Sequence, residues 1–202
     1  MCRFSIFFIL YLLPNVSSVG SPWRRFLPHE FYFYNSIDGS IANDWSDETS
    51  TLSHTSYNVD VPDAHGVARV SLGGHMAKWR LTAPPINGNT EKVFEVDEGD
   101  LLRCRVRLQC PTGEYECANV DEQIPPYSVL NRFDFAHARV QLILTDDNQS
   151  KLVNQRLELV PKWQVIQAQI TKKGHVSQFI IKTLEYWPMT FYVSYCFVEK
   201  KS

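Results

Sequence analysis

The chain has 202 residues, with 20 Lys and Arg against 22 Asp and Glu and a net charge of -2. That length predicts one domain able to bury a sizeable core without metal or dense disulfides. The charge balance gives no basic field to draw in nucleic acid, and charged residues interrupt every later apolar stretch, so no further segment is expected to span a bilayer.

Residues 1–20 read as a secretory signal peptide. Arg3 supplies the positive start, Phe4 to Leu13 the apolar stretch, and Pro14, Ser17, Ser18 and Gly20 the small-residue exit. Cleavage is expected near Ser18 or Gly20. An uncleaved anchor would need about 20 apolar residues, more than this stretch holds. Residues 21–202 are then expected as a single domain, secreted to the extracellular space.

Ser36 to Asn58 is rich in Ser, Thr, Asp and Asn and predicts an irregular segment. Val67 to Leu72 alternates apolar and polar residues, as a half-buried strand does. Leu102 to Gln109 is the cleanest period-two stretch: even positions are apolar and Arg103, Arg105 and Arg107 share the other face. Pro111 to Asn131 is a second irregular stretch, with Pro125-Pro126 and several acids. Ala138 to Leu144 is a strand ending at the turn Asp146-Asp147-Asn148. Trp163 to Ile170, Val176 to Leu184 and Thr190 to Val198 complete the predicted strands. No segment combines a helical period with caps. Short strands separated by turns predict an all-β sandwich or barrel. Asn148-Gln149-Ser150 is an N-glycosylation sequon in a predicted turn; Asn15-Val16-Ser17 would leave with the leader.

Cys2 also lies in the leader. Cys104, Cys110, Cys117 and Cys196 remain, and four cysteines allow three pairings. An oxidising compartment predicts two bridges. Cys110 and Cys117 flank Pro111-Thr112-Gly113, a natural local bridge, which would leave Cys104 to Cys196. A zinc site needs clustered ligands at short spacing, and the fourth cysteine is far away.

Nothing in the pattern points to catalysis. There is no G-x-S-x-G elbow, and the six histidines (His29, His54, His65, His75, His137, His175) form no H-E-x-x-H. No carboxylate spacing suggests acid–base chemistry on a sugar. No cofactor is expected, with calcium the one candidate: Asp38, Asn43, Asp44, Asp47 and Glu48 crowd one loop, and calcium takes loop oxygens. A solvated turn is the plainer account of the same residues. Trp45, Trp79, Tyr115, Tyr127 and Trp187 fall in loops or at strand ends, where an aromatic face can carry a sugar; core packing is the plainer account there too. Trp163, at a strand start, is expected in the core. The arginine row is expected on a solvated outer face, paired with acids.

The order of features resembles a MAM domain, an extracellular jelly-roll module. Phe31-Tyr32-Phe33 precedes Asp38-Gly39 and Asp44-Trp45. Gly66 to Val70 leads to Ala77-Lys78-Trp79-Arg80-Leu81-Thr82-Ala83-Pro84. A central strand follows around Cys104, then Trp163-Gln164-Val165, Phe179-Ile180-Ile181 and a last strand carrying Cys196. The family's two N-terminal cysteines are absent, with Phe33 and Ala42 near their places. Galactose-binding-type carbohydrate-binding jelly rolls share the outline. Either resemblance implies an antiparallel two-sheet jelly-roll sandwich. The function it implies is a secreted binding or adhesion module for an extracellular protein or matrix partner. A lectin-like carbohydrate-binding module is the second expectation, and a jelly-roll hydrolase the third.

Overall fold

The structure, a computed structural model, describes residues 30–42, 44–50, 52–84, 94–110 and 137–201. These residues form strands and turns and no helix. The strands are β1 (Glu30–Asn35), β2 (Ser40–Ile41), β3 (Ser46–Asp47), β4 (Ser53–Val61), β5 (Ala64–Leu72), β6 (Lys78–Thr82), β7 (Glu95–Val96), β8 (Leu101–Leu108), β9 (Ala138–Asp146), β10 (Lys151–Leu159), β11 (Gln164–Gln169), β12 (Gly174–Thr183) and β13 (Met189–Glu199).

Every pairing is antiparallel. The first sheet runs β11-β8-β13-β1-β2. β13 is long enough to serve two partners in line: Tyr195 to Glu199 pair with β1, and Met189 to Val193 pair with β5. β4 lies beyond β5. The second sheet runs β10-β9-β12-β6-β3, with β7 on the start of β12. The fold is an all-β jelly roll of two antiparallel sheets.

Side-chain alternation fills the space between the sheets. Leu102, Cys104, Val106 and Leu108 of β8 point inward, with Val140, Leu142 and Leu144 of β9 facing from the other sheet. Aromatic rings join the layers. Phe33 of β1 stacks on Phe179 of β12 at 4.6 Å, and Trp79 of β6 meets Phe179 edge-on at 5.4 Å. Phe33 also meets Trp45 edge-on at 5.3 Å. Offset and edge-on pairs suit the ring quadrupole.

One sequence expectation is corrected, and one strand is added that the sequence pattern does not predict. Ser36 to Asn58 is not one irregular segment: it holds β2, β3 and most of β4. β4 is an edge strand whose residues are half-buried or exposed, so its composition is polar. β10 carries no clear alternation because Asn154, Gln155 and Arg156 are all exposed at the edge of the second sheet. The stretch Pro111 to Asn131 lies outside the described residues.

Candidate functional site

Three places concentrate side chains with chemistry: the outer face of the first sheet, a cleft by the β9–β10 turn, and one end of the sandwich. On the first, the arginine row pairs with acids as expected at two positions, but Arg107 is buried rather than solvated and Arg105 meets a ring. Arg103 pairs with Glu199 at 3.0 Å and Arg107 with Asp63 at 3.2 Å, while Arg105 lies over the Trp163 ring at 4.7 Å. Trp163 does not enter the main core. It packs on a small outer cluster of Ala64, Val67 and Tyr192 and donates its indole N–H to Asp63 at 2.9 Å. The β4–β5 hairpin carries Asp63, so one carboxylate ties the hairpin to both β8 and Trp163.

Among the described residues, two of the calcium candidates, Asp38 and Asp47, spend their carboxylates on hydrogen bonds within the fold. The Asp38 carboxylate accepts from the Ser40 N–H and hydroxyl, and Asp47 accepts from the Thr49 N–H and hydroxyl and from the Tyr57 hydroxyl at 2.7 Å. The bonds to Ser40 and Thr49 are local turn bonds of the kind Asp makes, and the Tyr57 bond reaches Asp47 from β4. Among the described residues, no group of three His, Cys, Asp or Glu side chains is arranged to hold a metal. Asp44 and Glu48 instead line a cleft of about 490 Å³ with Ser46, Thr82, Asp147 and Gln178. Asn148 sits exposed in the adjoining β9–β10 turn.

Two of the five aromatic candidates are corrected. Trp79 is fully buried and Trp45 nearly so. Alternation on β6 turns Trp79 inward with Leu81, and its N–H is satisfied inside by the Tyr57 hydroxyl at 3.0 Å. Neither ring offers a platform to a ligand. Tyr115 and Tyr127 lie outside the described residues, as do Asn43 and Cys117. Cys104 and Cys196 are bonded to each other across the β8–β13 pair, where they stand directly opposite, and Cys110 is also disulfide-bonded.

Trp187 remains, at the third place. It lines a cleft of about 230 Å³ with Arg69, Gln109, His137, Met189 and Thr190. This end of the sandwich is built by the β5–β6 and β12–β13 connections. Tyr186, the residue before Trp187, is 76% exposed and stacks on exposed His75 at 4.5 Å and 12°. An exposed ring held flat by a second ring is a rigid apolar surface beside polar donors. The sequence reading had Trp187 but missed Tyr186 and His75, which meet only because the two connections lie side by side.

The β12–β13 connection is tightly anchored. The Thr183 N–H donates to the Ala77 carbonyl and the Leu184 N–H to the Arg139 carbonyl, both at 2.9 Å. The Glu185 carboxylate is buried and accepts from the Arg139 backbone and guanidinium. Burial pushes that carboxyl up, but the Arg139 hydrogen bonds outweigh it and hold it below the usual glutamate range. The exposed rings therefore stand on a fixed base.

No protein-family model matches the chain, and no curated protein matches it. Solved structures do. A variant of a family 29 carbohydrate-binding module superimposes with a TM-score of 0.55 at 6% identity, covering 86% of this chain and 93% of that one. Another variant, complexed with mannohexaose, gives 0.52 at 6% identity over 83% of this chain and 89% of that one. A third, complexed with cellulohexaose, gives 0.51 at 7% identity over 85% and 92%. The likeness lies in the jelly-roll fold, and it matches the carbohydrate-binding outline that the sequence shared with the MAM outline.

Proposed function

We propose that this chain is a non-catalytic carbohydrate-binding module, exported through its N-terminal leader, that takes a neutral oligosaccharide at the end of the sandwich beside Trp187. The observations that carry the reading are the exposed Tyr186–His75 stack and, on the same connection as Tyr186, Trp187, which lines a cleft with Arg69, His137 and Gln109. A sugar ring presents an apolar face and a rim of hydroxyls. The stack suits the first, and Arg69, His137 and Gln109 suit the second. The fold shared with modules solved with mannohexaose and cellulohexaose supports it. The likeness to these modules favours it over the protein or matrix partner expected first from the sequence.

The test is an array of neutral glycans, including manno- and cello-oligosaccharides, probed with the full mature chain. Tyr186→Ala and Trp187→Ala should each weaken binding about tenfold or more, because a buried aromatic ring contributes roughly 1.5–3 kcal/mol and each 1.4 kcal/mol is about tenfold. Their thermal unfolding should stay near that of the wild type. Binding to no neutral glycan, or binding that survives both substitutions, overturns the proposal.

A further inference from the structure

The outer face of the second sheet carries a row of cations, three of which make no ion pair among the described residues. Trp79, Leu81, Phe179, Ile181, Val140 and Leu142 turn into the core, so alternation sends Lys78, Arg80, Lys182 and Gln141 outward. The register aligns them. Arg156 of β10 stands opposite Gln141 of β9, Gln141 opposite Lys182 of β12, and Lys182 opposite Lys78 of β6. Four neighbouring strands at about 4.8 Å spacing make this row roughly 14 Å long. Arg80 lies two residues along β6 on the same face, opposite Ile180, which in turn stands opposite Ile143.

This arrangement works against the fold. Like charges directly opposite each other on neighbouring strands are destabilising, and Lys182 faces Lys78. Partial burial, then the neighbouring Arg80 and Lys182, pulls the Lys78 ammonium below its usual range, with Glu48 opposing. Glu48 pairs with Arg80 at 3.0 Å. Lys78, Lys182 and Arg156 make no ion pair among the described residues. The whole chain carries a charge of -2, so the strip is a local segregation of charge rather than a share of a general excess.

We propose that the Arg156–Gln141–Lys182–Lys78 row, with Arg80 beside it, binds a linear sulfated polysaccharide laid across the strands of the second sheet. A row of cations set in register across neighbouring strands complements a polymer whose fixed negative groups repeat along an extended chain. Gln141, whose amide already points at Asn154, adds donors and acceptors suited to ring hydroxyls. Single-stranded nucleic acid is the weaker fit, because its binders pair a basic groove with aromatic platforms for the bases. Lys78, Arg80, Thr82, Gln141, Ile143, Arg156, Gln178, Ile180 and Lys182 on this face include no aromatic ring. This surface is separate from the cleft at Trp187 and does not depend on it.

Heparin is the probe, titrated into the mature chain at several salt concentrations. Binding should weaken as salt rises. The triple variant Lys78→Gln, Lys182→Gln, Arg156→Gln should lose at least tenfold in affinity. Its salt dependence should also be shallower, by roughly 0.7–0.9 in log–log slope for each phosphate-like contact removed, the counterion-release value known from nucleic acids. Lys78→Arg with Lys182→Arg, which keeps the charges, should retain binding. Thermal unfolding of the triple variant should be unchanged or slightly raised, because a repulsion is removed. Neutral-glycan binding should be unaffected by the triple variant, so failure here and failure at the cleft are separable. Undiminished heparin binding by the triple variant overturns the proposal. So does equal binding to desulfated heparin, or a preference for single-stranded DNA or anionic lipid vesicles over heparin.

Discussion

The Glu185 carboxylate accepts from the Arg139 backbone N–H at 2.8 Å and from its Nε at 3.0 Å, so a single buried acid in the β12–β13 connection fixes both the chain and the side chain of a residue on β9. Glu185 lies at the base of the connection that presents Tyr186 and Trp187. Glu185→Ala should therefore cost about 1–3 kcal/mol, the penalty for leaving a buried donor without its acceptor. Arg139 is largely exposed and its guanidinium can turn to water, so most of that cost falls on the backbone N–H. Urea unfolding measures the loss. Amide exchange across residues 184–187 should quicken more than exchange in β13, because the connection loosens before the sheet does.

The same pair sets a pH dependence. Glu185 is held below its ordinary value of 4.5, so folding favours its charged form. That contribution is fully present above the ordinary value and is lost as pH falls through the lowered one. The stability gap between wild type and Glu185→Gln should be widest near neutral pH and close progressively in the acid range below 4.5. Denaturant midpoints of both proteins between neutral and strongly acid pH check it; a gap that widens on acidification would contradict the assignment.

Much of the sandwich is legible in the residues. Leu102 to Leu108 alternates so regularly that its inward and outward faces follow from the sequence, and the structure keeps them. β4 and β10 are harder to read because edge strands wet both faces and lose the alternation. The site is less legible. Trp79 and Trp187 look alike in sequence, each near a strand end. Only the register of β6 against β12 turns one into the core, and only the pairing of two connections sets Tyr186 on His75. Such juxtapositions are long-range, and residue types alone do not encode them.

Trp79 and Trp187 should part company on mutation. Trp79 Nε1–H donates to the Tyr57 hydroxyl, which donates onward to Asp47. Burial, then the Asp47 carboxylate, pushes the Tyr57 hydroxyl well above the usual phenol range, so it stays a donor at every pH the fold survives. Trp79→Ala should cost about 3–5 kcal/mol, the range for deleting a large buried ring. Tyr57→Phe should cost roughly 1–3 kcal/mol by orphaning the indole N–H. Any loss of ligand binding in Trp79→Ala should track unfolding, whereas in Trp187→Ala it should not. Calorimetry beside glycan titration separates the two.

The Cys104–Cys196 bridge links residues 92 apart in sequence. Closing a long loop restricts the unfolded chain, so its removal should cost about 2–4 kcal/mol. The paired substitution Cys104→Ala with Cys196→Ala is the fair comparison, because it leaves no lone thiol in the core. Cys196 stands opposite Cys104 in a register already set by neighbouring pairs. The variant should therefore keep its far-ultraviolet dichroism while its denaturant midpoint falls. A variant that loses its sheet signal altogether would show that the bridge is needed to form the β8–β13 pair and not only to stabilise it.

Gly66 and Gly99 both adopt positive φ, at 66 and 99 along the chain with angles of 62° and 97°, yet alanine should affect them differently. A Cβ on Gly66 would stand 2.2 Å from the Ser36 carbonyl oxygen. That backbone is held in place, because Gly66 accepts from the Tyr34 hydroxyl and donates its N–H to Asp60 at 3.1 Å. A Cβ on Gly99 would instead meet the Lys201 side chain at 3.1 Å, which can swing away. Both substitutions carry the strain of a left-handed residue, roughly 1–3 kcal/mol. Only Gly66→Ala adds a clash that must displace the β1–β2 turn. Its denaturant midpoint should fall clearly further than that of Gly99→Ala, and equal losses would mean that the Ser36 carbonyl yields as readily as a lysine.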